Sequence, residues 1–439
     1  MILPPLDNTC FSISREGVYP PLGLMSLINY IKTNISFVEI ELVDGSIYNL
    51  NQILNQLDGD VIGLSPTIVT YQNALIIAEK AKEKESIVLM GGQHCSALAE
   101  TILKKRSCVD YIVVGDGEKA MEGLLLDQQL NSIPNLFSRQ YGFHDKEYID
   151  LNSLPIPDYD GIDLTLYFAN FLERFEHWAF KGALPFYSRK GCSWRDNTGG
   201  CIFCRNDGMP TRTKSPRVVW DEIIYLHEKY QVDLFWDVSD TVTSDIEWLN
   251  IFAKSKPDIP VSFLFYSRAD SINPLTVDLL SRLNCHEVMI GMESGDSGIL
   301  SISNKGTDLQ QNISAAKQLS NSGIFVFPAF VLGLPSETKE SLKKTFDLAC
   351  MLCEECNVSQ IACTPLMPVP GSKAMNVLKN VLELKASYMD EDMYDLVSLT
   401  EDWLKYFTTI DMDILEEWLE LFLALKPISS SLGKVPVYL

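Results

Sequence analysis

Short apolar runs alternate with amphipathic stretches over residues 1–125, and each run has the length of a buried strand. Strand–helix repeats of this length predict a parallel sheet with helices on both faces. Glycines cluster directly after these strands, where ligands approach the backbone closely in such folds. The predicted strands are Ile2-Leu3-Pro4-Pro5, 38–43, 60–65, 87–90 and 111–114, with helices at 22–31 and 71–83.

A second alternation of the same kind runs from residue 183 to 374. Six strand–helix units predict an open, partial (β/α)6 barrel whose chemistry lies at the carboxyl ends of its strands. Thr307 and Gln310 form a candidate capping box, and Gly323 is a candidate helix C-cap. The predicted strands are 184–187, 232–238, 261–267, 287–292, 324–332 and 360–364, with helices near 217–230, 244–255, 275–283, 308–322 and 338–356.

Residues 126–182 and 375–439 do not show this alternation of predicted strands and helices. Residues 126–182 are interpreted as a linker and cover segment, because they contain a Pro-rich stretch at 154–160 and an aromatic stretch at 167–180. Residues 375–439 are rich in Leu, Met, Trp and Tyr and predict a helical C-terminal region. We expect the aromatic stretch and the C-terminal helices to cover the substrate entrance. The fold class is therefore α/β, with a doubly wound N-terminal domain, a partial barrel and terminal helices.

Composition narrows the possible environments. The 439 residues are 46% apolar and carry a formal net charge of -22, a field that repels nucleic acid and anionic membranes. No apolar run reaches the roughly 18–20 residues that span a bilayer. Eleven cysteines are unevenly spaced and no secretory signal is visible, so we expect a reduced, cytoplasmic protein.

The most informative cysteines are Cys192, Cys201 and Cys204, in a loop after the predicted strand 184–187. Such loops hold the chemistry of α/β folds. With no fourth Cys and no His nearby, the loop cannot complete a tetrahedral zinc site by itself. Three thiolates can hold three irons of a four-iron cluster and leave the fourth iron open to a substrate.

A second set of cysteines, Cys350, Cys353 and Cys356, lies at helical spacing and is followed by Cys363. Residues three and six apart on a helix need not converge on a metal, so packing cysteines and an auxiliary cluster are both compatible with the pattern. Cys363 lies on the last predicted barrel strand. If it faced the site, its thiol could donate a hydrogen atom to a substrate radical.

The order of the motifs resembles that of the radical S-adenosylmethionine (SAM) superfamily over 183–375. Each motif stands at a predicted strand end, and their order makes the resemblance specific. The N-terminal part is similar to the cobalamin-binding, Rossmann-like domain of one branch, through Tyr19-Pro-Pro21-Leu-Gly23, Gly63-Leu-Ser65, Gly91-Gly92 and Gly115-Asp-Gly117-Glu118. After the cysteines come Asp237-Val-Ser-Asp240, Ser267-Arg-Ala-Asp270, Gly291-Met-Glu293-Ser294-Gly295, Lys305-Gly306-Thr307, Gly333-Leu-Pro335-Ser-Glu337 and Pro368-Val-Pro370.

The resemblance implies three cofactors: a [4Fe–4S] cluster on Cys192, Cys201 and Cys204, SAM chelated to its open iron, and cobalamin. One electron would cleave SAM to methionine and a 5′-deoxyadenosyl radical. In the N-terminal domain, the residues expected at cobalamin are Ser65, Gly91, Gly92, Gly115, Gly117 and Glu118.

The resemblance also implies residues that contact SAM. Arg268 would hold the methionine carboxylate, and Glu293 and Ser294 the ribose or amino group. Arg268 is also compatible with a surface salt bridge, and Glu293 with capping the following helix. The other expected SAM contacts are Phe203, near the adenine, and Ser239 or Asp240.

Two features depart from the family pattern. Eight residues separate Cys192 from Cys201, where three are commonest. The Asp-x-His-x-x-Gly motif, whose histidine coordinates cobalt, is absent, and the one histidine of residues 1–125 is His94. Bound cobalamin would therefore lack that histidine ligand, and a domain that no longer binds cobalamin is the other interpretation.

The leading hypothesis is a cobalamin-dependent methyltransferase acting on an unactivated carbon, or on phosphorus, of a peptide, protein or natural product. A reduced flavodoxin or ferredoxin would supply electrons. The second hypothesis is a cobalamin-independent peptide epimerase or maturase with Cys363 as hydrogen donor, a class that shares a Trp two residues after the first cysteine, here Trp194. The third is a zinc-stapled, non-catalytic binding module.

Overall fold

The chain is described by a computed structural model covering residues 1–6, 17–143, 145–205, 208–389 and 391–426, without the side chain of Ala386. It divides into two compact units. The N-terminal unit comprises Met1–Tyr167, Val369–Gly371 and Met375–Tyr394. The barrel unit comprises Phe168–Pro368, Ser372–Ala374 and the chain from Asp395 onward. The expected C-terminal region, 375–439, is thus shared between the two units.

The N-terminal unit contains a sheet in the order β2-β1-β3-β4-β5-β6-β7. Strands β1 to β5 are parallel, and β6 and β7 are antiparallel additions at one edge. The predicted strand 38–43 is wrong except for Val43, because the observed strand is Val43–Asp44. The strands are β1 (Ile2–Leu3), β2 (Val43–Asp44), β3 (Val61–Leu64), β4 (Ile87–Met90), β5 (Tyr111–Val113), β6 (Leu136–Ser138) and β7 (Gly142–Phe143).

Helices connect these strands. Apolar residues at helical spacing on α3, such as Ala74, Ala78 and Ala81, are fully buried in one core with Val88 and Ile112 of the sheet. The helices are α1 (Leu22–Asn34), α2 (Leu50–Gln56), α3 (Tyr71–Glu83), α4 (Gly92–Ala97), α5 (Ala99–Lys105), α6 (Glu118–Leu125) and α7 (Leu164–Arg174), the last crossing the unit boundary.

The barrel unit has six parallel strands in the order β8-β11-β12-β13-β14-β15, which confirms the partial (β/α)6 barrel. A separate antiparallel pair, β9 with β10, follows β8. The strands are β8 (Ala183–Phe186), β9 (Arg189–Lys190), β10 (Arg212–Thr213), β11 (Leu234–Asp237), β12 (Ser262–Ser267), β13 (Cys285–Glu293), β14 (Phe325–Leu332) and β15 (Ala362–Pro365).

Two helices of the barrel unit, α8 and α12, are not predicted from the sequence, because six residues are too few for a clear helical period. The helices from residue 193 onward are α8 (Ser193–Thr198), α9 (Pro216–Tyr230), α10 (Ile246–Lys254), α11 (Pro274–Arg282), α12 (Ser297–Ile302), α13 (Leu309–Asn321), α14 (Lys339–Glu355), α15 (Lys373–Lys379), α16 (Lys385–Tyr388), α17 (Leu396–Phe407) and α18 (Met412–Ala424).

Aromatic contacts identify the two faces of the barrel sheet. Phe263 of β12 packs on Trp220 of α9 and Phe252 of α10, each at 5.8 Å between ring centroids, so it faces the outer helices. Because side chains alternate along a strand, Tyr266 faces the interior, where its ring lies 6.1 Å from that of Trp236. The barrel interior is therefore partly aromatic.

From the sequence, the aromatic stretch 167–180 is expected to cover the substrate entrance at the carboxyl ends of the strands. The structure places it elsewhere. Trp178 and Phe180 pack on His286, with ring centroids at 4.5 and 5.2 Å, and His286 packs on Phe325. His286 is the second residue of β13, and Phe325 is the first residue of β14. The stretch therefore closes the opposite, amino-terminal end of the barrel, because its large apolar rings pack against the first residues of the strands there.

One of the terminal helices of the barrel unit, α17, does lie at the carboxyl end. The Trp403 indole of α17 donates to Gly333 O at 2.7 Å, and Ser336 N donates to Phe407 O at 2.7 Å. Gly333 and Ser336 belong to the loop after β14. These bonds are compatible with a covering role for α17, which stays a prediction.

Helix capping differs by one residue from the prediction. The capping box at α13 is formed by Asp308 and Gln311, not by Thr307 and Gln310. Asp is as good an N-cap as Thr, so the sequence offered two adjacent candidates. Gly323 follows the helix with φ +75°, the left-handed conformation expected at its end. No helix in the described ranges combines the length and apolarity needed to cross a membrane.

Candidate active site

The three cysteines lie where the barrel opens, in the loop that follows β8. Cys192 is half-buried and precedes α8, Cys201 is buried and Cys204 is exposed, and all three are free thiols. Gly199 and Gly200 end α8 with φ values of +77° and +76°, which lets the chain turn back between the first two cysteines. The unusual eight-residue spacing is thus filled by a short helix and a glycine turn.

Hydrogen bonds attach this cysteine loop to the segment after α12. Ile202 N donates to Ser303 O at 3.0 Å, and the Asn304 amide donates to Gly200 O at 2.8 Å. The Trp194 indole donates to Asn304 O at 2.9 Å. The loop therefore has fixed partners on the barrel before any cofactor is considered.

Trp194 packs tightly between the backbone and a cation. Its ring lies against Gly306 so closely that a Cβ there would overlap it. On Trp194, the Arg268 guanidinium carbon is 4.6 Å from the ring centroid, within the range of a cation–π contact. Trp194 thus locks the cysteine loop to two of the motifs noted in the sequence.

Arg268 donates to a carboxylate and to a backbone carbonyl group. Its Nε and Nη2 donate to the two Asp270 carboxylate oxygens at 3.0 and 2.8 Å, and Nη2 also donates to Lys305 O at 2.7 Å. Its expected hold on the SAM carboxylate stays a prediction, but these contacts give the guanidinium a local structural role.

Glu293 forms a buried ion pair that the sequence did not reveal. Its Oε1 accepts from Lys305 Nζ at 2.8 Å, and both side chains are less than a tenth exposed. Burial alone would lower the pKa of Lys305, but the Glu293 carboxylate outweighs this and the pKa is raised. In the sequence, only the motif Lys305-Gly306-Thr307 indicates that this lysine belongs to the site.

Other residues expected at SAM are placed as follows. Ser239 is buried and its Oγ accepts from Ser188 N and Arg189 N at 2.9 and 3.0 Å, so it fixes the turn after β8. The Ser294 hydroxyl is 3.1 Å from that of Thr345. Asp240 is exposed and Phe203 is half-buried in the cysteine loop. Their roles toward SAM stay predictions.

Cys363 faces away from the barrel interior. It pairs in register with Phe330 of β14, and paired residues of parallel strands point to the same face. The Phe330 ring packs on Phe422 of α18 at 5.5 Å, and Phe422 packs on Phe346 of α14. Cys363 therefore lies on the helix-covered face, contrary to the expectation that it could face the site. The alternation of the last strand is too short to fix its register from sequence.

The second cysteine set occupies the end of α14. Cys350 and Cys353 lie within the helix and Cys356 follows it, with Cys353 and Cys356 buried. In the described part of the chain, no three His, Cys, Asp or Glu side chains converge as ligands of one metal ion, and this holds for Cys192, Cys201 and Cys204 as well, so it does not distinguish packing from a cluster. The packing interpretation of the second set is supported by the burial of Cys353 and Cys356.

The cysteine loop fits a four-iron cluster by its donor set. A single zinc ion needs its ligands around one point, whereas a four-iron cluster takes each thiolate on a different iron. Burial raises the pKa of the Cys201 thiol above its usual value, and the nearby cations Lys305 and Arg268 oppose that rise only in part. Three free thiols at the barrel mouth, with cations nearby, suit a cluster that leaves one iron open.

The glycine loops of the N-terminal unit meet at the carboxyl edge of its sheet. Gly92 has φ +80°, and a Cβ there would lie 3.0 Å from Ser65 Oγ and 3.4 Å from Pro66 O. Gly115 has φ +90°, and its backbone N–H donates to Ser96 Oγ at 3.3 Å. Gly91 and Gly117 flank these turns and Glu118 begins α6, buried. This glycine-rich edge can admit a large ligand such as cobalamin against the backbone.

His94 is held by protein contacts. Its Nε2 donates to Asp392 O at 3.0 Å, and its ring lies 4.5 Å from that of Tyr71. The Asp392 carboxylate is buried and accepts from Tyr71 Oη at 2.8 Å and from Arg106 Nε at 2.6 Å. These hydrogen bonds join the chain after β3 and β4 to the segment 375–394. The bonded residues are about 300 positions apart in the sequence, so local patterns could not predict that they meet.

Comparison with known proteins agrees with both units. The B12 binding domain family matches residues 9–125, and the radical SAM superfamily matches residues 189–349. An uncharacterized methyltransferase of Pyrococcus horikoshii is 25% identical over 94% of this chain and 86% of its own length. The anaerobic magnesium-protoporphyrin IX monomethyl ester cyclase of Rubrivivax gelatinosus is 24% identical over 76% of this chain and 62% of its own length.

A solved structure has the same fold. The radical SAM methyltransferase TsrM of Kitasatospora setae, with cobalamin and a [4Fe–4S] cluster bound, superposes with a TM-score of 0.66 at 14% identity, over 87% of this chain and 75% of that one. The order of the two domains, the six-stranded barrel and the three cysteines at its mouth agree with the family matches. The chain therefore belongs to the radical SAM superfamily, as an enzyme of the branch in which a B12-binding domain precedes the radical SAM domain.

Proposed function

We propose that this enzyme is a cobalamin-dependent methyltransferase that methylates an unactivated carbon, or phosphorus, of a peptide, protein or small molecule. The observation that carries the proposal is the presence of two sites in one chain: three free thiols at the barrel mouth and a glycine-lined edge on the N-terminal sheet. The Pyrococcus relative, itself named a methyltransferase, supports the same reaction.

When bound, the cofactors would supply the one-electron and methyl-carrying chemistry. The residues of the chain would hold and shield them. Cys192, Cys201 and Cys204 would bind the cluster, and Trp194 fixes their loop through Asn304 O. The aromatic stretch at the amino-terminal end closes the barrel, so that water is excluded from the interior on that side.

The partners follow from charge and chemistry. A formal net charge of -22 disfavours nucleic acid and anionic membranes as substrates. A single-electron step needs a low-potential donor, for which a reduced flavodoxin or ferredoxin in the cytoplasm is suited. The epimerase hypothesis loses its hydrogen donor, because Cys363 lies on the helix-covered face of β15.

The test is a UV–visible spectrum of the full chain after anaerobic reconstitution with iron, sulfide and hydroxocobalamin, followed by desalting. We expect a broad brown iron–sulfur absorption together with retained corrin bands. Incubation with SAM and a reductant should then yield both 5′-deoxyadenosine and S-adenosylhomocysteine when substrate is present. A brown protein without corrin would contradict methyl transfer and leave a hydrogen-abstraction reaction, and a colourless protein would contradict the cluster.

A further inference from the structure

A cavity of about 700 Å³ opens at the amino-terminal ends of β1 and β3, within the N-terminal unit. This volume lies in the range of roughly 300–1,000 Å³ that is typical of small-molecule pockets. Val61, the first residue of β3, lines the cavity, whereas Ser65 follows β3 at the glycine-lined edge. Four positions of extended chain separate the two residues by about 13 Å. The cavity is therefore distinct from the edge at which cobalamin is expected.

The inner wall of the cavity is apolar. It is formed by Ile53 and Leu57 of α2, Ile62 of β3 and Met121 of α6, each at most 4% exposed. A molecule that enters the cavity therefore meets aliphatic and thioether groups, and burying apolar surface against them stabilises its binding. The wall favours a ligand with an apolar body.

The rim of the cavity is acidic and carries an aromatic ring. The exposed side chains of Glu39, Glu41, Asp58 and Asp60 line it, and the described residues of the lining include no lysine, arginine or histidine. Phe37 belongs to the same rim and is 71% exposed. Carboxylates of one sign attract a cation, and the face of an exposed aromatic ring adds a cation–π contact. The rim favours a ligand with a positively charged group.

Two neighbouring amino groups do little to neutralise this rim. The Lys84 ammonium donates to Leu57 O, and Lys84 does not line the cavity. The Met1 amino group donates to Glu41 O at 2.6 Å. Burial lowers the pKa of the Met1 amino group to about 6, although Glu41 opposes this, so most of it is neutral at pH 7. The charge of the rim therefore remains available to a ligand.

We propose that this cavity binds a small organic cation, with its ammonium group at the rim carboxylates and its apolar body against the inner wall. An anion would be repelled by the rim, and a hydrated metal ion would leave the apolar wall without a partner. The volume suits a whole small molecule. The inference does not rest on the proposed function, because none of the expected cofactors takes part in it.

The test compares three probes with the same naphthalene body. At pH 7, 1-naphthylmethylamine is a cation, 1-naphthalenemethanol is neutral and 1-naphthoate is an anion. Binding to the full chain is followed by NMR of ¹³C-labelled methionine methyl groups, since Met121 lines the cavity and Met292 is buried in β13 of the barrel unit. We expect the amine to shift the Met121 signal saturably, the alcohol to bind more weakly and the naphthoate not to bind. The Met292 signal should stay unchanged.

Variants of the rim separate the charge from the apolar wall. Glu39→Gln/Asp58→Asn/Asp60→Asn should weaken the amine by about 10-fold and leave the alcohol within about 2-fold, because exposed ion pairs are individually modest but here act together. Sodium chloride at about 0.5 M should weaken the amine in the same direction. The matched control Asp221→Asn/Asp278→Asn/Asp347→Asn removes three exposed carboxylates of the barrel unit and should change neither affinity.

Three results would overturn the inference. A Met121 signal that none of the probes moves would show that the cavity does not take such ligands. Equal affinity for the amine and the alcohol would show that the rim does not select a cation. An equal loss of amine binding in the rim variant and in the matched control would show that only the overall negative charge of the protein attracts the amine.

Discussion

Gly306 is the residue on which the packing of the cysteine loop depends most directly. It has φ +73°, and any Cβ would overlap the Trp194 ring. Gly323 has nearly the same φ, +75°, but no atom lies within 4 Å of the position of its absent Cβ. Comparing the same substitution at the two glycines therefore separates the effect of backbone strain from that of a clash with Trp194.

We predict that Gly306→Ala lowers the iron bound per chain after reconstitution, whereas Gly323→Ala does not. Both substitutions carry a left-handed backbone penalty of about 1–2 kcal/mol. Gly306→Ala adds overpacking of about 1–3 kcal/mol, which displaces Trp194 and the loop it holds. Iron analysis and thermal unfolding check this, and equal iron content in the two variants would contradict the locking role of Trp194.

Single residues also show how far sequence reasoning reaches. The three cysteines could be identified because their chemistry is local to one loop. Lys305 could not be assigned to Glu293, because the two are brought together by a turn after α12, a helix too short to be predicted. The inward or outward direction of Cys363 depends on its pairing with Phe330, which the sequence does not encode over four residues.

Among the elements, the segment 375–394 differs most from its expected place. It packs within the N-terminal unit, although it follows the barrel in sequence. Asp392 anchors it: the carboxylate is fully buried and paired with Arg106, whose side chain is about a third exposed. The hydrogen bonds from Arg106 and Tyr71 hold the pKa of Asp392 below its usual range even though burial opposes this.

We predict that Asp392→Ala destabilises the N-terminal unit by about 2–3 kcal/mol, because it leaves a partly buried guanidinium and a buried phenol without their acceptor. Glu83→Ala is the matched control, since Glu83 pairs with Lys80 on the exposed face of α3 and should cost at most about 0.5 kcal/mol. Differential scanning calorimetry measures both. Equal effects would show that the returning segment adds no stability.

The larger elements were predictable because their patterns are long. Helix α9 was expected near 217–230 and is Pro216–Tyr230, and β14 was expected at 324–332 and is Phe325–Leu332. The antiparallel strands β6 and β7 were missed, since three and two residues give no readable alternation. A long hydrophobic period in the sequence identifies an element whatever its tertiary surroundings. A short edge strand, by contrast, forms only because a neighbouring strand offers free backbone N–H and C=O groups.

At the scale of the whole molecule, the two candidate sites belong to different compact units. The cysteines lie in the barrel unit and the glycine edge lies in the N-terminal unit, which has its own core. Loss of one cofactor should therefore leave the other site folded.

We predict that the triple variant Cys192→Ala/Cys201→Ala/Cys204→Ala loses the brown absorption but retains corrin bands after reconstitution. The control Cys350→Ala/Cys353→Ala/Cys356→Ala should keep both, because these cysteines pack at the end of α14. UV–visible spectra with iron and cobalt analysis distinguish the outcomes. Loss of iron in the control would show an auxiliary cluster, and loss of corrin in the first variant would show that the sites depend on each other.

The return of segment 375–394 to the N-terminal unit has a consequence for synthesis on the ribosome. The first strands emerge early, but Asp392 is made only after the whole barrel sequence has been translated. Until then Tyr71 and Arg106 lack their hydrogen-bond acceptor. The N-terminal unit, whose synthesis starts first, is therefore completed only after the barrel sequence has been made. A nascent chain arrested anywhere before residue 392 therefore has an unfinished N-terminal unit, in which Tyr71 and Arg106 lack their buried acceptor.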